Sequence, residues 1–144
     1  MKIDVKISGN QAILNRLRGL SSQAVSVVAD EVEATTMDIH RDAVTRVPVD
    51  TGRLKGSLTP VVLKQGEKVT GEVGTNVDYA PYVEFGTGGK VNIPQGLETY
   101  AARFKGKGER QVNLPARPYL FNSFFENVPK MMARIQKGIA SIVK

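Results

Sequence analysis

Catalytic chemistry in this chain would centre on Asp50-Thr51-Gly52, the tripeptide that carries the catalytic carboxylate of aspartic peptidases. Those enzymes need two carboxylates, each on a loop between apolar strands, so that the pair shares one proton. Here the residues before Asp50 have the pattern of a helix end, and Arg53-Leu54-Lys55 puts charge where a peptidase needs a buried turn. We therefore predict that the Asp50 carboxylate caps a turn by accepting the backbone N–H of Gly52 or Arg53. Gly52 permits the change of direction, so Leu54 and Leu58 can reach the core.

Two further patterns would suit a nucleotide or a metal ion. Gly86-Thr-Gly-Gly-Lys90 ends like a phosphate-binding loop, but Glu84 stands where the first glycine belongs and Val91 replaces the hydroxyl residue. His40 is the single histidine and the chain has no cysteine, so a zinc site is disfavoured and a partly buried or surface position is expected. We predict no cofactor, no metal site and no enzymatic activity.

Charge is concentrated in one region of the 144-residue chain. The net charge is +6, and residues 88–117 hold six basic side chains against two acidic ones. A local basic segment is suited to meet nucleic acid or an acidic protein surface. No segment approaches the ~20 apolar residues that span a bilayer, so we expect no membrane partner.

The N-terminal half predicts a strand followed by helices. Ile3, Val5 and Ile7 alternate with charged residues, which is typical of a strand with one buried face. A short helix is predicted over residues 11–18. Apolar residues at spacings of three and four then predict a long amphipathic helix from Ser21 or Ser22 to about Arg46, where Pro48 stops it.

Two strands predicted over residues 58–64 and 67–74 form a hairpin about a turn at Gln65-Gly66. Pro60 indicates that its strand lies at a sheet edge or begins late. Residues 81–85 suit one helical turn, and the glycines that follow end it. We expect a short helix near residues 97–104, a strand over 111–114, and a final helix that starts at Pro118 and contains Pro129.

These elements predict an α+β fold. A mainly antiparallel β-sheet with a central hairpin packs against one long amphipathic helix and a C-terminal helix. We expect a single domain over residues 1–144, with a mobile, basic, glycine-rich loop at about 86–113.

Three segments, in this order and spacing, carry a resemblance to a known family. They are Val-Pro-Val-Asp-Thr-Gly-Arg-Leu-Lys-Gly-Ser-Leu58, Val-Gly-Thr-Asn-Val-Asp-Tyr-Ala-Pro-Tyr-Val-Glu-Phe-Gly-Thr87 and Pro-Ala-Arg-Pro-Tyr-Leu120. The chain resembles the tail-component family of long, non-contractile-tailed double-stranded DNA phages and prophages. Members are described as neck, tail-completion or head–tail joining proteins.

The resemblance implies a structural virion protein that forms a homo-hexameric ring at the neck or tail, after assembly in the host cytoplasm. Expected partners are copies of itself, adjoining head-closure, tail-terminator or tail-tube proteins, and packaged DNA in transient contact. A ring needs head-to-tail interfaces between different surface patches. A basic nucleic-acid-binding module on the DNA exit path is the alternative, and a hydrolase is a third class.

The resemblance also marks residues for structural corners and assembly. We expect Tyr82, Phe85 and Tyr119 to serve as core corners or interface anchors, and Glu84 to pair with Arg117 within a subunit or across two. The predicted basic residues of the loop face an acidic surface of an adjoining ring; they are Lys90, Arg103, Lys105, Lys107 and Arg110. The full assembly set is Asp50, Thr51, Gly52, Leu54, Ser57, Tyr79, Tyr82, Glu84, Phe85, Gly86, Thr87, Arg117, Pro118, Tyr119 and Leu120.

Overall fold

A computed structural model of the chain describes residues 3–8, 22–92, 95–101, 103 and 113–143. Within these ranges the strands β1 (Ile3–Ser8), β2 (Thr59–Gln65) and β3 (Lys68–Thr75) form an antiparallel sheet in the order β1-β3-β2. The predicted α+β fold and its N-terminal strand are confirmed. The helix predicted over residues 11–18 lies outside the described residues.

The long helix α1 (Ser22–Arg46) has the predicted bounds. It ends before Pro48 because a residue preceding proline avoids helical geometry. His40 is half-buried on this helix, which agrees with the predicted partly buried position. Its Nε2–H donates to the carbonyl oxygen of Leu58 at 3.1 Å. The buried residues recur at spacings that form one stripe; they are Ala24, Val28, Val32, Thr35, Thr36, Ile39 and Ala43.

The C-terminal helix α5 (Leu120–Ile142) runs antiparallel to α1. Arg46 at the end of α1 pairs with Glu126 near the start of α5, whereas Arg134, farther along α5, places its Nε 2.6 Å from Oε2 of Glu31 in the first half of α1. The helix starts two residues later than predicted, and Pro129 lies inside it. The predicted apolar stripe is confirmed, since these residues are buried or pack on the core: Leu120, Phe124, Val128, Met131, Ile135, Ile139 and Ile142.

The sheet packs one face against the two long helices. Val69 and Val73 of β3 are buried in that core, whereas Val61 and Leu63 of β2 remain exposed on the opposite face. This alternation follows from the two-residue period of a strand. The edge position predicted for the strand with Pro60 is confirmed, because β2 pairs with β3 alone among the described strands.

The hairpin turn lies one residue later than predicted. Gln65 pairs with Lys68, which leaves Gly66 and Glu67 as the two turn residues. Gly66 has φ of 59°, and no described residue other than glycine has positive φ. Positive φ at the first turn residue alone fits a type II′ turn, which matches the twist of the flanking strands.

Short helices lie between the sheet and α5. They are α2 (Arg53–Ser57), α3 (Ala80–Phe85), a 3₁₀ turn (Gly88–Lys90) and α4 (Glu98–Ala101). Of these, α3 confirms the predicted helical turn, and α4 falls within the helix predicted over residues 97–104. The strand predicted over 111–114 is wrong in its described part, since residues 113 and 114 have no regular secondary structure.

Candidate functional site

The carboxylate of Glu84 in α3 caps the N-terminus of α5. Its Oε2 accepts the backbone N–H groups of Tyr119 and Leu120, and its Oε1 accepts that of Phe121, each at 3.0 Å. The first four N–H groups of a helix have no partner within the helix, and the Tyr119 side chain provides none. Glu84 therefore supplies from a distant part of the chain what a local capping residue usually provides.

The predicted ion pair between Glu84 and Arg117 within a subunit is wrong. Glu84 is 1% exposed and both of its oxygens bond to α5. Arg117 is exposed, and its guanidinium makes no ion pair within the described ranges. Arg117 contacts α3 through its backbone instead, because its N–H donates to the carbonyl oxygen of Val83 at 2.8 Å.

Burial shapes the ionisation of the two groups at this helix start. Burial raises the pKa of the Glu84 carboxyl, and the three backbone N–H bonds lower it only in part. Burial, followed by the charge of Glu84, also raises the pKa of the Tyr119 hydroxyl. The Tyr119 hydroxyl is buried and has no hydrogen-bond partner in the described part of the chain. The tyrosine therefore stays neutral.

Residues 113–117, here called the strap, lie against α3 and the turn that follows it. The Thr87 N–H donates to the Leu114 carbonyl oxygen, and the Leu114 N–H donates to Thr87 Oγ1, both at 2.9 Å. The Gly89 N–H donates to Asn113 Oδ1 at 2.8 Å. These bonds join residues on the two sides of the predicted loop, so they close its base.

Gly86 allows the strap to approach this closely. Its φ is 75°, and a Cβ built there would lie 2.7 Å from backbone atoms of Leu114, Ala116 and Lys90. Glycine is the residue that fits a positive φ in such a space. Phe85, next to it, is fully buried, and its ring centroid lies 5.5 Å from that of Phe121.

Parts of the three motifs meet in one groove of about 410 Å³. Its lining is mostly apolar, and several members are well exposed: Val49 is 62% exposed, Leu114 50% and Tyr82 44%. Exposed tyrosines on a largely apolar surface are typical of protein interfaces. The groove is lined by Pro48, Val49, Asp50, Thr51, Gly52 and Leu54, by Tyr79, Tyr82 and Val83, and by Leu114, Pro115 and Arg117.

The charged residues of the groove lining do not match an aspartic peptidase site. Asp50 and Arg117 are the lining residues that carry charge, so Asp50 faces no second carboxylate in the lining. The peptidase mechanism requires that second group. Within the described ranges, no group of three or more His, Asp or Glu is placed to hold a metal ion.

The corner before α2 is built differently from the prediction. Asp50 is exposed and makes no hydrogen bond to a described residue, so its predicted capping role is wrong. Thr51 Oγ1 accepts the Arg53 N–H instead, at 3.4 Å. The predicted redirection at Gly52 is confirmed by its φ of 79°.

Ser57 at the end of α2 donates to the Leu54 carbonyl oxygen at 2.8 Å, and it also bonds to Thr75 of β3.

The other predicted residues lie away from the groove. Lys90 is exposed in the 3₁₀ turn, and Arg103 places its guanidinium 5.9 Å from the centroid of the Tyr100 ring. Pro118 borders a separate depression beside Phe121 and Phe125. Lys105, Lys107 and Arg110 lie outside the described residues, so their predicted contact with an adjoining ring stays a prediction.

A family model described as "Bacteriophage HK97-gp10, putative tail-component" matches residues 11–86, more than half of the 144-residue chain. The chain belongs to this HK97-gp10-like family. The predicted tail-component family is thereby confirmed, and the family indicates a virion location. No curated protein and no solved structure is detectably similar to the chain.

The HK97-gp10-like match contains the first motif and all of the second except Thr87. It ends at Gly86, so it includes the corner and α3 but not the strap or α5. Glu84 lies within the match and caps a helix beyond it. No helix in the described residues is long and apolar enough to cross a membrane.

The capping role of Glu84 was missed by sequence reasoning, although a signal was present. The apolar stripe of α5 begins after Tyr119, where a local Ser, Thr, Asp or Asn cap is absent. Glu84 is an acidic residue between the apolar Val83 and Phe85. A helix start without its own cap and a carboxylate in apolar surroundings together favour a remote cap.

Proposed function

We propose that this HK97-gp10-like protein is a non-catalytic structural subunit of the phage neck or tail. Copies form a ring that helps to complete the tail and join it to the head. The observation that carries the proposal is the meeting of the corner, α3 and the strap at one exposed, largely apolar groove. The family supplies the tail context.

The chemistry of the groove supports a protein partner. Tyr79 and Tyr82 are 39% and 44% exposed, and tyrosine contributes a large apolar area and a hydroxyl at low entropic cost. Their positions are fixed, because Glu84 and the strap hold α3 against α5. A preformed surface of this kind loses little conformational entropy when a partner binds.

A ring also explains why the surface is largely apolar and exposed. Cyclic rings form when one patch of a subunit meets a different patch on the next subunit. We propose a hexamer, which matches the six-fold symmetry of a tail tube, and contacts with head-closure, tail-terminator or tail-tube proteins above and below it.

The test is a phage that carries Tyr82→Asp in place of the wild-type residue. The substitution puts a charge into the groove at an exposed position, so the subunit should fold but fail to assemble. We expect unjoined heads and tails by electron microscopy and a loss of infectious particles. Normal particle yield from this variant would overturn the proposal.

Asp50→Asn provides the matched control in the same groove. It keeps the shape of the side chain and removes the carboxylate that a hydrolase would need. We expect wild-type particle yield, with six copies of the protein per particle by quantitative mass spectrometry. Loss of assembly in this control would indicate that the carboxylate has a chemical role.

A further inference from the structure

We propose that the groove binds the exposed acidic face of α1 from a second copy of the chain. The inference rests on the proposed ring and specifies the two surfaces that form it. Helices that place one exposed side into an apolar groove are a common mode of protein recognition. The evidence is an apolar anchor on α1 and a complementary charge distribution.

Met37 is the apolar anchor. It is 46% exposed on α1, whereas Val28, Val32, Ile39 and Val44 of the same helix pack into the core. The flexible thioether of methionine adapts to irregular pockets and makes favourable contacts with aromatic rings. Tyr79, Tyr82 and Leu114 of the groove offer two such rings and an exposed aliphatic side chain.

The charges of the two surfaces are opposite in sign. Helix α1 has five acidic residues against two basic ones. Glu31, Glu33 and Asp38 pair with Arg134, Lys64 and Arg41, whereas Asp30 is exposed and has no ion pair with a described residue, so Asp30 carries the acidic charge of this face. Arg53, Lys55 and Arg117 lie in or beside the groove, against Asp50 and Asp78. Opposite potentials of this kind orient two proteins as they meet.

The basic groups beside the groove are available for such a contact. Arg53, Lys55 and Arg117 are exposed and form no ion pair within the described ranges. On α1, Asp30 is likewise exposed and has no ion pair with a described residue. The arginines of the two long helices, by contrast, already pair with acidic residues, as in Arg46–Glu126 and Arg134–Glu31.

The contact is head-to-tail, which is the kind of contact that a ring requires. The lining of the groove and helix α1 share no residue, and every added copy leaves one groove and one α1 face open until the ring closes. A contact between copies by strand pairing at the β2 edge of the sheet is less favourable. Pro60 and Lys64 lie on that strand, and proline and lysine are residues that block edge pairing.

Cysteine cross-linking in purified particles tests the contact, because the natural chain has no cysteine. The variant carries both Met37→Cys and Val49→Cys, at two exposed positions. A disulfide within one chain does not add mass, so a ladder on a denaturing gel reports contact between copies. We expect a ladder from dimer to hexamer for the double variant and no ladder for either single variant.

The matched control combines Val49→Cys with Leu63→Cys, an exposed residue on the β2 face. A ladder from the control pair and none from the Met37 pair would overturn the proposal in favour of the β2 face. A double variant that stops at dimers would indicate a two-fold contact and would also overturn it. Particles that contain the protein but give no ladder reject the α1 contact and leave the proposed function standing. Absence of the protein from particles rejects both.

Exchanging the charges of Arg117 and Asp30 gives a second, independent test of the contact. Arg117→Glu and Asp30→Arg each place like charges across the contact, and we expect each to lower infectious yield by about tenfold or more. The variant with both substitutions restores opposite charges and should recover yield. Recovery supports the pairing of the two faces, whereas a double variant no better than the worse single variant contradicts it.

Discussion

The Oε2 atom of Glu84 lies 3.0 Å from the backbone nitrogen of Leu120, a residue 36 positions later in the chain. This bond fixes the first turn of α5 to α3, which carries Tyr82 of the groove and begins directly after Tyr79. The cap and the groove are therefore mechanically coupled. A change at the buried carboxylate should alter both the stability of the fold and the shape of the binding surface.

Glu84→Ala should lower the free energy of unfolding by about 2–4 kcal/mol, because three backbone N–H groups lose a charged acceptor in a buried place. Urea denaturation followed by circular dichroism measures the change. Glu126→Ala is the control, since it removes an exposed carboxylate of the same helix that pairs with Arg46, and such pairs contribute little. Equal losses in the two variants would contradict the capping role.

The stability contributed by Glu84 should fall as pH rises. Burial raises the folded-state pKa of this carboxyl above its unfolded value, which is about 4.3 for glutamate. Its contribution is then fully present below the unfolded pKa and is lost as pH rises through the folded pKa. Relative to Glu84→Gln, which does not titrate, the wild type should lose stability from about pH 4 upwards.

Urea unfolding of the wild type and Glu84→Gln across a pH series measures this difference, because titrations shared by both proteins cancel. A wild type that gains on the variant as pH rises would contradict the direction. It would mean that the three N–H bonds and the helix dipole outweigh burial and hold the pKa of Glu84 below its ordinary value.

The long helices could be predicted from sequence because their signals are local. Apolar spacing and Pro48 are enough to bound α1, and the stripe from Leu120 to Ile142 is enough for α5. The hairpin turn was placed one residue early, because the pairing of Gln65 with Lys68 depends on register between strands.

The site was less predictable because its contacts join distant parts of the chain. Asp50 and Thr51 both precede α2 and carry a side-chain oxygen, and sequence spacing does not decide which of them bonds the Arg53 N–H. Glu84 and Arg117 were expected to meet and do lie in neighbouring segments, but α5 takes the carboxylate. The motifs were recognisable in sequence, whereas their meeting in one groove follows from tertiary packing.

Gly86→Ala and Gly52→Ala should separate crowding from backbone strain. Both glycines have positive φ, of 75° and 79°, but a Cβ at Gly52 meets nothing within 4 Å. Gly52→Ala should therefore cost about 1–2 kcal/mol through φ alone. Gly86→Ala also forces a methyl group against backbone atoms, and we expect a loss of more than about 3 kcal/mol.

Thermal or urea unfolding of the two glycine variants gives the comparison directly. The loss in Gly86→Ala should come with displacement of the strap, seen as increased proteolysis near Leu114, because that carbonyl oxygen lies 2.7 Å from the added carbon. Similar losses in the two variants would show that the strap moves aside at little cost.

Tyr119→Phe should leave stability unchanged or raise it by up to about 1 kcal/mol, because it removes a buried hydroxyl that has no partner. The ring is fully buried, so Tyr119→Leu serves as the control and should destabilise through lost packing. Urea denaturation at neutral pH measures both variants. A clear loss of stability in Tyr119→Phe would show that the hydroxyl is bonded.

The pH dependence of the same variant tests the ionisation of Tyr119. Burial and the nearby charge of Glu84 raise the pKa of its hydroxyl, so the neutral form is retained in the fold after an unfolded tyrosine ionises near pH ~10. The wild type should therefore lose stability relative to Tyr119→Phe as pH rises above about 10. Parallel profiles through that range would show that the folded and unfolded hydroxyls ionise alike, and would contradict the raised pKa of Tyr119.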